Sequence, residues 1–323
     1  MDQKHSSILT ANLACFCAMF FWAVGFPAID VLLDTWGALA LITVRFSIAA
    51  TILVLVWAFL DGWSVVRQAN WGLALLVGGL GFGIGTILLM IGQKLSDPVT
   101  PAIAASMMPI FGAILEILFD GRKLRPLVVV GIILALTGGY LATGVQLSEG
   151  EFGMGALLCL IAVVLFSWAT RANTQKFKSL SPIGQTTVGI VGAFVLCSTA
   201  FFVSLIFGLG ETTFGSHSNL EIGLITYAAV FSICLAQGLW IWGAGKLGIL
   251  LASFHTNAVP FYVMIVVVVV LGGEWNWWQA AGACLVAAGV IIAQLASRRQ
   301  WTSDQTSQLI ISDVHNEIDE TVK

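Results

Sequence analysis

Apolar residues run for about twenty positions at a time along nearly the whole chain, and polar residues gather between the runs. Roughly 20 apolar residues are needed for a helix to cross a bilayer. Ten such runs are found, at about 8–29, 36–60, 71–93, 98–119, 126–146, 153–171, 182–208, 221–244, 248–272 and 277–297. The joins carry helix breakers and charges: Asp30 to Asp34, Asp61-Gly62, Ser96-Asp97-Pro98, Asp120-Gly121, Glu149-Gly150-Glu151, Ser181-Pro182, the stretch 209–220, Gly245 to Gly248, and Gly272-Gly273-Glu274. The pattern predicts an all-α integral membrane protein of ten transmembrane helices with short joins and no inserted soluble domain. Residues 300–323 are polar and acidic without a sustained apolar face and read as a flexible cytoplasmic tail. The opening MDQKHSSILT leads into the first run without a small-residue cleavage site, so it reads as the first membrane helix.

Composition agrees with this. The chain is 58% hydrophobic and 10% charged, against about 25% charged in soluble domains. Charge adds an orientation, because cytoplasmic loops of membrane proteins collect Lys and Arg. With the N-terminus inside, twelve basic residues fall on the inner side, Lys94 alone falls outside, and Arg45 lies within the membrane. Both termini are then cytoplasmic, and the localisation is a bacterial inner (plasma) membrane. Trp36, Trp63, Trp71, Trp275, Trp277 and Trp278 fall at span ends, where an aromatic belt belongs. A net charge of −3 with no basic patch excludes nucleic acid as a partner. The six cysteines lie in apolar runs without zinc-type spacing and read as small buried residues. No metal or cofactor is expected. The partners expected are a small-molecule solute and membrane lipid, and a homodimer is compatible with the pattern.

Self-similarity changes the picture further. At a constant offset of 151, Gly92 meets Gly243, Pro109 meets Pro260, Gly121 meets Gly272, Gly131 meets Gly282 and Gly138 meets Gly289. FFWA at 20–23 resembles FSWA at 166–169 at a shorter offset. The chain therefore reads as two five-helix repeats, residues 1–147 and 148–299, followed by the tail. Five is odd, so the second repeat enters the membrane the other way up. Inverted repeats of this kind belong to secondary transporters, with the substrate near the midplane between the repeats.

Several motifs carry a family resemblance. They are W-x-x-x-F-P in the first span (Trp22, Phe26, Pro27), R-F in the second (Arg45, Phe46), prolines centring the fourth and ninth (Pro109, Pro260), and Gly273-Glu274 before the G-x-x-L-x-x-x-G of Gly282 and Gly289. Together they resemble an EamA-type transporter of the drug/metabolite transporter superfamily, over about residues 8–297. The resemblance implies transport of small metabolites, export more than import. One departure is visible: the first half reads FDGRKL where the family has a G-E-R-like ending.

The candidate chemistry lies near the middle of the spans. Arg45 is either an anion anchor or a tie to backbone carbonyls at broken helix ends, since an arginine inside a bilayer must face protein or water. His255 and Asn257, with Thr256 between them, form a polar cluster in an otherwise apolar run; they read as substrate ligands, His255 also as a proton carrier, or as interhelical hydrogen bonds. Ser106 is the first-half match of Asn257. Trp22, Trp168 and Trp240 would wall a cavity to which Gln237 adds a polar point. Pro27, Pro109 and Pro260 are candidate hinges, each lacking a backbone donor. These residues predict a secondary transporter of amino acids or related amphipathic solutes working by alternating access. A facilitative exchanger or channel for another anionic metabolite is the competing reading. A membrane enzyme would need clustered His, Asp, Glu and Ser at one interface, which the sequence lacks. A non-transporting scaffold would not need midspan polar residues in both halves.

Overall fold

The computed structural model of the protein describes residues 2–120, 126–142, 153–247 and 254–292. The expected tail, the basic cluster at 122–125 and the join at 149–151 lie outside them. Among the described residues all regular structure is helical. Six helical stretches are long and apolar enough to cross a membrane: Leu9–Leu33, Ala38–Asp61, Trp71–Lys94, Met154–Lys176, Pro182–Phe207 and Asn219–Trp240. Four shorter apolar helices accompany them: Val99–Gly112, Pro126–Leu141, His255–Val269 and Trp277–Ile292. The outer surface is apolar too, with Phe59, Ile206, Val269 and Trp277 among its most exposed side chains. Water would penalise such a surface and lipid does not. The molecule is an integral membrane protein.

We label the helices in chain order. α1 is Asp2–Leu33 and stays continuous through Pro27. α2 is Ala38–Asp61, followed by a short helix at Trp63–Gln68. α3 is Trp71–Lys94, with a π-helical middle at Leu75–Gly83. α4 comes in two pieces, Val99–Ser106 and Met108–Asp120. α5 is Pro126–Ala142, α6 is Met154–Lys176 and α7 is Pro182–Phe207. α8 is Asn219–Thr226, a π-helical Tyr227–Leu235 and Ala236–Leu247. α9 begins with a 3-10 turn, Phe254–Ala258, and goes on as Val259–Val269. α10 is Trp277–Ile292.

Irregularities recur at matching places. The π segments of α3 and α8 are both nine residues long and lie at nearly the repeat offset. α4 breaks at Met107 and α9 changes helix type at Ala258, positions related by that offset. The two breaks also share a conformation, φ −85 and ψ −4 at Met107 against φ −83 and ψ −16 at Ala258. Pro109 and Pro260 follow two residues later in both. A proline cannot donate to the preceding turn, and in the first turn of a helix that begins again its missing N–H is one that would have had no intrahelical partner.

Packing is exchanged between the halves. α1 packs on α8, α6 on α3, and α2 on α7. Small residues set the distances. A Cβ on Gly92 of α3 would lie 2.7 Å from Cys159 Sγ of α6, and one on Gly243 of α8 would lie 2.5 Å from Cys15 Sγ of α1. At the α5–α10 crossing a Cβ on Gly138 would lie 2.7 Å from the Gly282 carbonyl oxygen, and one on Gly289 would lie 2.5 Å from that of Gly131. The glycines paired by sequence offset thus meet one another crosswise, and only a missing side chain lets the backbones come so close.

Candidate functional site

One core of the bundle is shared by α1, α4, α5, α9 and α10, built on residues such as Ile103, Met107, Val259 and Val263. Trp22 and Trp240 are half-buried against this core. The Trp22 ring meets Phe26 at 5.3 Å, and the Trp22 carbonyl accepts from Ser232 Oγ at 3.4 Å. Trp168 is half-buried on α6 and faces α3, where a Cβ on Gly81 would lie 3.3 Å from its Cε3. Its neighbour Ser167 donates to Val163 O at 2.8 Å and to Met108 O at 3.3 Å, which ties α6 to the break in α4. Gln237 is half-buried on α8.

Arg45 is buried, with 5% of its surface exposed. Its Nη2 lies 3.5 Å from Ala228 O, in the π segment of α8, and its Nε has no partner. A hydrogen bond of 3.5 Å is at the limit of what counts as one. The contact is the kind of carbonyl tie anticipated for a broken helix, but it leaves the cation poorly satisfied.

The polar cluster of α9 lies in the 3-10 turn, against α1 and the first piece of α4. His255 is half-buried, Thr256 and Asn257 are buried, and His255 and Thr256 each have an interaction of their own. Both side-chain polar atoms of Asn257 are buried without a hydrogen-bond partner. On the facing helix Ser106 is 2% exposed, and its hydroxyl donates to Ile103 O at 2.7 Å. The donor of the first half's polar group is therefore spent within its own helix. Pro260 is buried beneath the cluster and Pro109 is half-buried.

Arg45 and Asn257 lie at different depths. Tyr262, five residues beyond Asn257, packs on Phe16 and Phe20 at 5.5 and 5.8 Å. Ala228, which Arg45 approaches, is next to Tyr227, whose hydroxyl donates to Phe21 O at 3.0 Å. Measured along α1, the two candidates are separated by roughly 10 Å or more, at 1.5 Å per residue.

Other polar residues were read in the sequence only as span ends. Gln93, 2% exposed, donates to Phe26 O at 2.7 Å and to Asp30 Oδ1 at 3.4 Å. The α7–α8 loop clasps the α1–α2 turn. Glu211 accepts from the Ala38 amide at 2.8 Å and pairs with Lys94 at 2.6 Å. Glu221 accepts from Thr35 Oγ1 at 2.8 Å, Trp36 Nε1 at 3.2 Å and the His217 amide at 2.8 Å. Burial pushes the Glu211 carboxyl up, but the Ala38 amide and Lys94 pull it further down, so it ends below its ordinary value. At the other end Trp57 Nε1 donates to Asp61 at 3.0 Å, and Asp61 also bonds Ser181, the cap of α7. α2 and α7 are thus joined near both ends.

Comparison with known proteins gives this arrangement a place. An uncharacterized transporter of Bacillus subtilis, YyaM, is 27% identical over 262 residues, 77% of this chain and 82% of its own. An uncharacterized inner membrane transporter of Escherichia coli K12, YedA, is 28% identical over 275 residues, 84% of this chain and 86% of its own. A protein of Streptantibioticus cattleyicolor named "Probable terminal-alkyne amino-acid exporter" is 22% identical over 280 residues, 84% of this chain and 89% of its own. A crystal structure of another protein shares the fold, with a TM-score of 0.63 at 19% identity over 90% of this chain and 98% of that one. The model of the EamA-like transporter family matches twice, over residues 9–144 and 153–295. With both matches covering most of the chain, the protein belongs to the EamA-like transporter family of the drug/metabolite transporter superfamily and is a membrane transporter of that type.

Proposed function

We propose that the protein is a secondary transporter that exports small organic metabolites, amino acids or related amphipathic solutes, from a bacterial cytoplasm by alternating access. Ten helices form two five-helix halves related by a two-fold axis in the membrane plane, with both termini inside. The observation that carries this reading is the pair of matching breaks at Met107 and Ala258, each just before a proline and next to the polar residues Ser106 and Asn257. Helices interrupted at corresponding places in two repeats mark the binding site of such transporters. The crosswise glycine contacts of α5 and α10 support the two-fold, because residue i meets the mate of j while j meets the mate of i. The lysine and arginine distribution supports the orientation. The name of the Streptantibioticus relative supports the solute class and the direction.

In this reading Trp22, Trp168 and Trp240 wall the path, and Arg45, Ser106, Gln237, His255 and Asn257 mark it with polar groups. Pro109 and Pro260 make α4 and α9 the moving helices, while the end-to-end ties of α2 and α7 make a fixed frame. Pro27 sits in a helix that is not interrupted, so its hinge role is the weakest of the three. A thermal-shift screen of purified protein against metabolites, followed by counterflow in liposomes with each hit, tests the proposal. Labelled solute accumulating transiently against preloaded unlabelled solute is expected. Flux that neither saturates nor shows counterflow would indicate a channel and overturn it.

A further inference from the structure

Asn257 leaves both a donor, Nδ2, and an acceptor, Oδ1, buried without a partner, and is 8% exposed. A buried amide in that state is costly, and a second state in which a ligand satisfies it accounts for its being kept. Among the described residues none hydrogen-bonds this amide. The 3-10 turn faces α1 and the first piece of α4, where Ala102, Ile103, Ala104 and Ala105 are buried and apolar. Ser106 donates to its own helix. His255 and Thr256 have interactions of their own. Arg45 lies at another depth and approaches Ala228.

We infer that Asn257 reads the ammonium and the carboxylate of a net-neutral α-amino acid. The inference rests on the transport reading above. Oδ1 accepts from the α-ammonium and Nδ2 donates to the α-carboxylate, so one planar amide meets both groups of the zwitterion. A neutral amide offers no countercharge. A solute with net charge would find no countercharge in this amide, whereas a zwitterion brings its own compensation. A solute with only a donor or only an acceptor would leave half of the amide unpaired. Because both atoms are covered here, the amino acid reaches them when α9 or α4 moves at its break. Binding energy at Asn257 then favours the conformation in which the amide is uncovered, the differential contact that a ligand-driven change requires.

The test uses the full-length protein with Asn257→Leu and Asn257→Asp. In purified ligand-free protein, Asn257→Leu is expected to raise the melting temperature, because it removes two unpaired polar atoms at similar volume. A lower melting temperature, or a variant that does not fold, would mean that the amide is a structural hydrogen bonder and would overturn the inference. In liposomes the wild type is expected to exchange a neutral amino acid such as leucine, but not its methyl ester, its N-acetyl form or its carboxamide. Asn257→Leu is expected to lose that exchange about tenfold or more, as for a lost hydrogen bond to a charged group. Asn257→Asp is expected to turn preference toward the cationic methyl ester. Wild-type exchange of some other solute, unchanged in Asn257→Leu, overturns this inference and leaves transport standing. Absence of counterflow for every solute in the wild type overturns the transport reading as well.

Discussion

Arg45 and Asn257 show how differently two buried polar side chains reveal themselves. Both stand out in the sequence as polar residues within membrane-length apolar runs. What the sequence does not reveal is whether a partner awaits them, because the partner is a feature of another helix. Ser106 found its acceptor three residues back, while Asn257 found none. Gln93 and Glu221 went unread as functional residues because each lies at a span end and meets partners far along the chain, 67 residues away at Phe26 and 186 at Thr35. The under-satisfied cation of Arg45 leads to a prediction. Even a buried ion pair is often replaced by apolar residues at no loss of stability, and Arg45 has only a 3.5 Å carbonyl contact to lose. Arg45→Met is therefore expected to keep or raise the melting temperature while lowering counterflow severalfold. A fall in melting temperature would make Arg45 a structural tie instead.

At the scale of the element, the helices were legible because some twenty apolar residues between breakers have few alternatives in lipid. The breaks in α4 and α9 were legible through Pro109 and Pro260. The π segments were not, since a change of hydrogen-bond register within LLVGGLGFG and YAAVFSICL leaves no compositional trace. Nor was helix rotation legible, because a span that is apolar all round does not say which face meets protein. Glycine told more. At Gly289 an added Cβ would strike the Gly131 carbonyl of α10's neighbour α5. Gly289→Val and Gly138→Val are expected to destabilise by about 1–3 kcal/mol each, the usual cost of overpacking, and by similar amounts, since they are mates. Gly223→Ala, with nothing near its added carbon, is expected to gain up to about 1 kcal/mol from helix propensity. Thermal unfolding in one detergent compares all three.

For the whole molecule, the clasp ties the α7–α8 loop to the α1–α2 turn, and in the alternating-access reading proposed above it would hold that end shut. Its pH dependence follows from Glu211. A carboxyl held below its ordinary value contributes stability that is fully present above the ordinary range and is lost as pH falls through the depressed value. Glu211→Gln is expected to lower the melting temperature at neutral pH, and the gap to the wild type is expected to close below about pH 4. A gap independent of pH would mean that the ionised carboxyl does not hold the clasp. The repeat was legible from five residue pairs at one offset; the clasp was not, since it joins segments with no shared pattern. Glu211 and Lys94 are 117 residues apart.

The joins read at the same end hold Asp30, Asp34, Asp97, Glu211, Glu221 and Glu274 against Lys94, which pairs with Glu211. Such an excess sets up a negative potential across the mouth. In the export proposed above, an anion leaving by this route would climb that potential, a cation would linger in it, and a zwitterion would pass with little net work. The field is screened within about 8 Å at physiological ionic strength. Flux of a net-neutral solute should therefore be nearly indifferent to added salt, and counterflow of leucine at two ionic strengths measures it. A strong salt dependence would show that the cargo feels the mouth as a charge.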